Sequence, residues 1–198
     1  MSYIVVGLGN PGEEYTNTRH NTGRMALEVF RMAEKFPEWE LNAKIKALTS
    51  SGKLGKESVT LVEPETFMNK SGFSVASLIK SKKAAEHLVV IHDDLDIPFG
   101  KFKISFNKSS GGHRGVESII KALKTSAFVR IRVGISPVTP SGKLKKPHGE
   151  AAVDKHILGK FSPDQLGTLK KLSKRIAEAL HVLIAEGREK AMSQQYSL

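Results

Sequence analysis

The sequence predicts an α/β fold: a single domain with a twisted, mixed and largely parallel β-sheet flanked by helices. Three observations carry that prediction. Strand-like and helix-like patterns alternate along the chain, as they do when crossover helices cover a sheet. Leu88–Ile91 is an unbroken apolar run, the mark of a strand buried on both faces. The length of 198 residues suits one sizeable core rather than two, so residues 1–198 are read as one domain. Hydrophobic residues at 39% and charged residues at 26% give the balance of a folded globular chain, which excludes disorder throughout.

In order, Tyr3–Leu8 is β-branched and apolar and ends in a glycine turn, as a buried strand does. Glu13–Asn21 is polar, lacks a helical stripe and reads as a loop. Asn21 or Thr22 caps a helix whose apolar face uses Met25, Leu27, Val29, Phe30 and Ala33, with Pro37 just beyond its end. Ile45–Thr49 and Ser58–Val62 form a hairpin around Ser51–Gly55. Pro64–Gly72 is a loop, and Ser71 is a candidate cap for a helix carrying Val75, Leu78 and Ile79. The strand at Leu88 runs into His92, Asp93 and Asp94. Lys101–Phe106 alternates polar and apolar residues like a half-exposed strand. Ser109–Gly112 is a flexible loop, Val116–Leu123 a helix, and Val129–Ile135 another strand. Pro137–Gly149, with its prolines, glycines and lysines, is a mobile surface loop. Ser162-Pro163-Asp164 opens the last long helix, which reaches Glu186 and stops at Gly187.

The bulk chemistry narrows the function. With no cysteine, thiol catalysis, disulfides and thiolate metal sites are excluded. The N-terminus has no secretory leader pattern and no apolar run approaches a membrane span, so the cytoplasm is expected. A formal net charge of +11 favours a polyanionic partner, although solvated lysines alone would also produce it.

Gly7, Gly9 and Gly12 spell the dinucleotide-binding fingerprint, but its context is wrong. No helix opens at Gly12; Glu13 and Glu14 stand where pyrophosphate would sit. About 20 residues on, where a strand-end carboxylate is needed, the chain reads Arg31–Glu34 inside a predicted helix. The alternative is a tight turn, with Asn10 and Pro11 leaving an amide at a strand end.

His20 lies in a polar loop, and Asp93 sits where a buried strand ends, a position at which ligands of open α/β sheets gather. Either residue has ordinary structural uses. If they meet, Asp93 holds one ring nitrogen as N–H and leaves the other free to take a proton. With no cysteine and no serine in a nucleophile elbow, such a dyad has to activate water. His92, Asp94 and Asp96 would share one strand face and invite a metal, but no second histidine cluster supports one, and a turn completed by Pro98 and Gly100 competes. Phe67 and Asn69 suit base stacking and hydrogen bonding, or equally core packing and a turn. Arg130 and Arg132 alternate with apolar residues, giving a basic strand face that suits phosphates; Lys101, Lys103 and Lys108, and Lys143, Lys145 and Lys146, cluster too.

Gly7–Gly23, Pro64–Gly72, His92–Gly100, Gly111–Gly115 and Val129–Ile135 together resemble the signatures of bacterial peptidyl-tRNA hydrolases, in the same order over most of the chain. The resemblance implies hydrolysis of the ester joining a peptide to the 3′ ribose of tRNA, a peptidyl-tRNA hydrolase-like fold, a monomer, and no metal or other cofactor. It casts His20 as the general base and Asp93 as its supporting carboxylate. It casts Asn10 as the sensor of the blocked amino group and Asn69 as a ligand of the scissile region. Tyr15 and Phe67 line the tRNA end, and Met68 shapes the cleft. The partner implied is the acceptor end of tRNA, read by shape and phosphates. Two positions depart from the pattern. Arg114 stands where the family has a substrate-contacting asparagine; arginine accepts no hydrogen bond but can grip a phosphate, or else block the cleft. Ser105 stands where a basic residue is expected. The rival reading is a non-catalytic RNA-binding relative, for which Arg114 is the best argument.

Overall fold

The computed structural model describes residues 2–196. Its strands are β1 (Ser2–Gly7), β2 (Glu40–Asn42), β3 (Ala47–Leu54), β4 (Glu57–Pro64), β5 (Leu88–Pro98), β6 (Phe102–Phe106) and β7 (Val129–Ser136). Its helices are α1 (Thr22–Ala33), α2 (Ser71–Ala76), α3 (Lys82–Ala85), α4 (Arg114–Leu123), α5 (Glu150–Ile157), α6 (Pro163–Glu186) and α7 (Arg188–Ser193). Short 3-10 turns occupy Glu13–Tyr15, Arg19–Asn21 and Met68–Lys70.

The strands form one sheet in the order β2-β3-β4-β1-β5-β7-β6. β4, β1, β5 and β7 run parallel at its centre, and antiparallel pairings close both sides. The expected fold class is therefore the observed one. The apolar runs of the central strands follow from burial on both faces. Val5, Val89 and Ile91 pack under α1 and α6; Val6, Leu88 and Val90 pack under α2 and α4. Each fully buried aliphatic side chain contributes about 1.5–3 kcal/mol.

Local chemistry sets the element ends. Ser162 caps α6 with Pro163 in first place, as the sequence predicts, and the Gln165 side chain accepts from Ser162 N–H while Ser162 Oγ accepts from the Gln165 backbone N–H, which completes a capping box. The β3–β4 hairpin is tighter than expected: Leu54 pairs with Glu57 across a two-residue turn, and Ser51 and Gly52 lie within the strand beneath Phe36. On α1 the buried face uses Ala26, Leu27, Phe30 and Arg31, while Ala33 is exposed. Arg31 is buried because Glu28 and the carbonyls of Phe36 and Pro37 take its donors. Ser71 does not cap α2; its hydroxyl turns back to the Met68 carbonyl and fixes the preceding 3-10 turn. Helices α3, α5 and α7 are short pieces that no apolar stripe announces, and α5 buries no residue at all.

The parallel strands end along one edge of the sheet, at Gly7, Pro64, Asp93–Pro98 and Ser136. The segments leaving that edge carry nearly every residue singled out from the sequence, as expected for an open α/β sheet. Gly23, at the start of α1, sits directly on this edge; a Cβ there would collide with the backbone of Leu8 and Ile91. Among the described residues, no helix is long and apolar enough to cross a membrane.

Candidate active site

His20 belongs to the Arg19–Asn21 turn, which is clamped from both sides. Arg19 N–H donates to the Gly159 carbonyl at 3.0 Å, and Phe161 N–H donates to the Asn17 carbonyl at 2.9 Å. The Arg19 guanidinium lies over the Phe161 ring and bonds the His156 carbonyl and Gln165. The imidazole of His20 is held at the sheet edge, 5% exposed, within reach of the β5 terminus.

There His20 Nδ1 lies 3.0 and 3.1 Å from the two oxygens of Asp93. A second imidazole shares the same carboxylate: His113 Nε2 is 2.9 Å from Asp93 Oδ1. The protonation pattern follows from partners. His113 Nδ1 accepts from the backbone N–H groups of Gly115 and Val116, capping α4, so its proton is on Nε2 and points at Asp93. Burial alone would push the Asp93 carboxyl up, but the two imidazoles facing it hold it well below the usual carboxylate range. An ionised Asp93 takes the Nδ1–H of His20 and leaves His20 Nε2 as a lone pair with no hydrogen-bond partner among the described residues.

His92 backs this group. Its Nδ1–H donates to the Asp93 carbonyl at 2.7 Å, and its ring meets His113 edge-on at 4.7 Å. Burial, with the neighbouring His113 and Arg130, depresses its pKa and keeps it neutral.

The metal-ligand face read from His92, Asp94 and Asp96 is not assembled. Asp94 pairs with Arg132, Asp96 with Lys146, and His92 is buried. The residues that do come together are His20, Asp93 and His113, all within 4.8 Å. Every nitrogen facing Asp93 already lies within hydrogen-bond distance of it, so the trio suits proton handling better than metal capture.

The other expected site residues form a second group beside the first. Asn21 Oδ1 accepts from Asn10 N–H, and Asn21 Nδ2 donates to the Asn10 carbonyl, both at 2.9 Å. Asn21 therefore fixes Asn10 instead of capping α1 with its side chain. Asn10 Oδ1 accepts from Met68 N–H at 2.8 Å, which orients the amide and leaves Nδ2 as the donor to spare. Met68 is buried and packs over Gly115 beside the His113 ring. Tyr15 and Phe67 meet edge to face at 6.4 Å, with Phe67 57% exposed rather than in the core. Asn69 is exposed and opens onto a separate groove between α2 and α4.

Above His20 lies a cleft of about 210 Å³ walled by Asp93, Gly112, His113, Arg114 and α5. Arg114 Nη2 donates to Glu150 at 2.7 Å and lies 3.8 Å from Asp154, so it spans the cleft mouth between α4 and α5. The basic strand face is absent. Arg130 is buried and donates to the Ser109 carbonyl, and Arg132 is spent on Asp94. The Ser109 carbonyl and the Asp94 carboxylate take up the two guanidinium groups, so alternation there did not mean a free basic face.

Sequence reasoning missed His113. It lies in the Gly111–Gly115 motif, but histidine is an uncommon helix cap and nothing local marks it as a partner of Asp93. It also missed Asn21 as the clamp on Asn10.

The chain matches the family model described as peptidyl-tRNA hydrolase over residues 4–197. It is 36% identical over 197 residues to a peptidyl-tRNA hydrolase of Syntrophotalea carbinolica, covering 96% of this chain and 95% of the relative. It is 40% identical over 191 residues to that of Citrifermentans bemidjiense, with 96% and 95% covered. The crystal structure of peptidyl-tRNA hydrolase from Acinetobacter baumannii superposes with a TM-score of 0.84 at 27% identity, covering 96% of this chain and 92% of that one.

Proposed function

The chain belongs to the peptidyl-tRNA hydrolase family, and from that premise we propose how its residues divide the reaction. The protein hydrolyses the ester between a peptide and the 3′ ribose of tRNA, releasing both. His20 Nε2 takes a proton from water as the water oxygen attacks the ester carbonyl. The resulting tetrahedral intermediate collapses, and the ribose oxygen leaves with the proton returned by His20. Asp93 holds the Nδ1–H tautomer and balances the imidazolium that forms, while staying ionised itself. His113 positions Asp93. Asn10 Nδ2 donates to the carbonyl region of a blocked amino acid, and Met68 shapes the cleft. Tyr15, Phe67 and Asn69 meet the RNA end.

The observation that carries this reading is the His20–Asp93 contact at 3.0 Å, with the opposite ring nitrogen left without a hydrogen-bond partner among the described residues. Arg114 reaches toward Glu150 rather than toward His20 or Asp93, so it leaves the dyad intact, which supports the catalytic reading over the non-catalytic rival. The assigned groups supply base, orienting carboxylate and donor themselves, without a cofactor. We assign the chain to the cytoplasm as a monomer acting as one domain over residues 1–198. Release of N-acetylaminoacyl groups from tRNA by the wild-type chain tests the reading. RNA binding without release at any pH would overturn it.

A further inference from the structure

The groove onto which Asn69 opens has chemistry of its own. It holds about 450 Å³ between the Met68–Lys70 turn with α2 on one side and α4 on the other. Its floor is a direct backbone approach: Gly72 N–H donates to Ser118 Oγ at 3.0 Å, and a Cβ at Gly72 would collide with the Ser118 carbonyl. The two helices cannot slide there without breaking that contact, so the groove is preformed. Lys46, Lys70 and Lys121 stand around it, all exposed, and no carboxylate among the described residues lines it. None of the three is in an ion pair among the described residues, so their ammonium groups are available to an anion.

The groove also carries an aromatic platform. Phe73 is 51% exposed, with Lys46 Nζ 5.5 Å from its ring centroid. Phe67, equally exposed, lies on the near side of the same turn, toward Tyr15. A run of unpaired nucleotides needs this combination: lysines for successive phosphates and phenyl faces for bases, with no hydrogen-bond code. A phosphopeptide or lipid headgroup would use the lysines but has no need of an accessible ring.

We propose that the α2–α4 groove binds the unpaired 3′-terminal nucleotides of the tRNA substrate, with Phe73 stacking a base and Lys46, Lys70 and Lys121 holding its phosphates. This rests on the hydrolase reading, because the strand must reach the groove across the Phe67–Lys70 turn from the cleft over His20. The groove extends the contacts that Tyr15, Phe67 and Asn69 make with the RNA end to further unpaired nucleotides.

The test compares the wild type with a Lys46→Gln/Lys70→Gln/Lys121→Gln variant and with Phe73→Ala. Three measurements apply: affinity for a single-stranded RNA tetranucleotide across salt concentrations, KM for N-acetylaminoacyl-tRNA, and turnover of the same ester on adenosine alone. The lysine variant should bind the tetranucleotide at least tenfold more weakly. Its salt slope should fall by about 2, since each phosphate no longer neutralised takes about 0.7 from the slope. Phe73→Ala should weaken binding about fivefold or more with the salt slope retained. Both should raise KM for the full substrate at least fivefold more than for the adenosine ester. Unchanged affinity and slope in variants that melt like the wild type would overturn the proposal. So would tripolyphosphate displacing the tetranucleotide as well as unlabelled RNA does, with Phe73→Ala silent, since that describes an anion patch only. Tetranucleotide binding that depends on these residues in a wild-type protein releasing neither ester would instead sink the hydrolase reading and leave the groove standing.

Discussion

His113 donates from Nε2 to Asp93 Oδ1 at 2.9 Å while its Nδ1 caps α4. The orientation of the carboxylate that supports His20 is thereby set by the start of a helix. Loss of that donor leaves a buried carboxylate short of one charge-stabilising bond and free to turn. His113→Ala should lower kcat about tenfold with KM nearly unchanged. His113→Asn, which can both cap the helix and donate, should recover part of the loss. Recovery of both stability and the full kcat by a variant that caps α4 but cannot reach Asp93, such as His113→Ser, would show that the cap alone matters.

His20→Ala removes the proposed base and should cost about 100- to 10,000-fold in kcat. The affinity for uncharged tRNA should stay within about twofold, because His20 is buried beneath the cleft and makes no part of the basic surface. Asp93→Asn should act on the same step by favouring the wrong tautomer. The His20→Ala/Asp93→Asn double variant should therefore be little worse than His20→Ala alone, since groups acting as a unit are non-additive. Single-turnover release from N-acetylaminoacyl-tRNA measures all three; multiplicative losses would separate the two residues.

Arg114 is half exposed and its partner Glu150 more so, and a pair of that kind contributes at most about 1 kcal/mol to stability. Arg114→Asn should leave the melting temperature within about 2 °C and keep or raise kcat/KM. Glu150→Gln separates two roles for the guanidinium. If Arg114 exchanges Glu150 for a substrate phosphate, freeing it should lower KM a fewfold, most clearly at low salt. If Arg114 only spans the cleft mouth, KM should not move.

The sequence made the parallel core legible because apolar runs such as Val89–Ile91 have one structural use, and made His20, Asp93 and Asn10 legible because their motifs are long. It did not show what burial did to polar residues. Arg130 alternates along β7 like a surface residue, yet it is buried and the Ser109 carbonyl takes its donor. Asn21 looked like a helix cap, but its amide is committed to Asn10, eleven residues away. His113 meets Asp93 only because β5 and the start of α4 converge. Such pairings depend on tertiary closure, which no local pattern encodes. Helix α5 was illegible for a different reason: it lies on the rim, buries nothing, and so carries no apolar stripe.

Glu63 offers a stability test that is independent of catalysis. It ends β4 near Asn10, and burial pushes its carboxyl up to about 7, against the partial relief of Arg24 at 3.7 Å and with Glu28 and Glu65 adding to the rise. Arg24 is directed instead to Glu65 at 2.7 Å. Because the folded pKa lies above the unfolded one, ionising Glu63 opposes folding. The penalty is absent below the ordinary carboxylate value, grows as pH rises toward 7, and is complete above it. Glu63→Gln keeps the shape and removes the charge. It should raise the melting temperature at pH 8.5 by about 3–6 °C, equivalent to about 1–2 kcal/mol, and change it little at pH 5. A gain of equal size at both pH values would mean that packing, not ionisation, is responsible. A loss at pH 8.5 would mean that Arg24 holds Glu63 ionised and that the pair stabilises the fold.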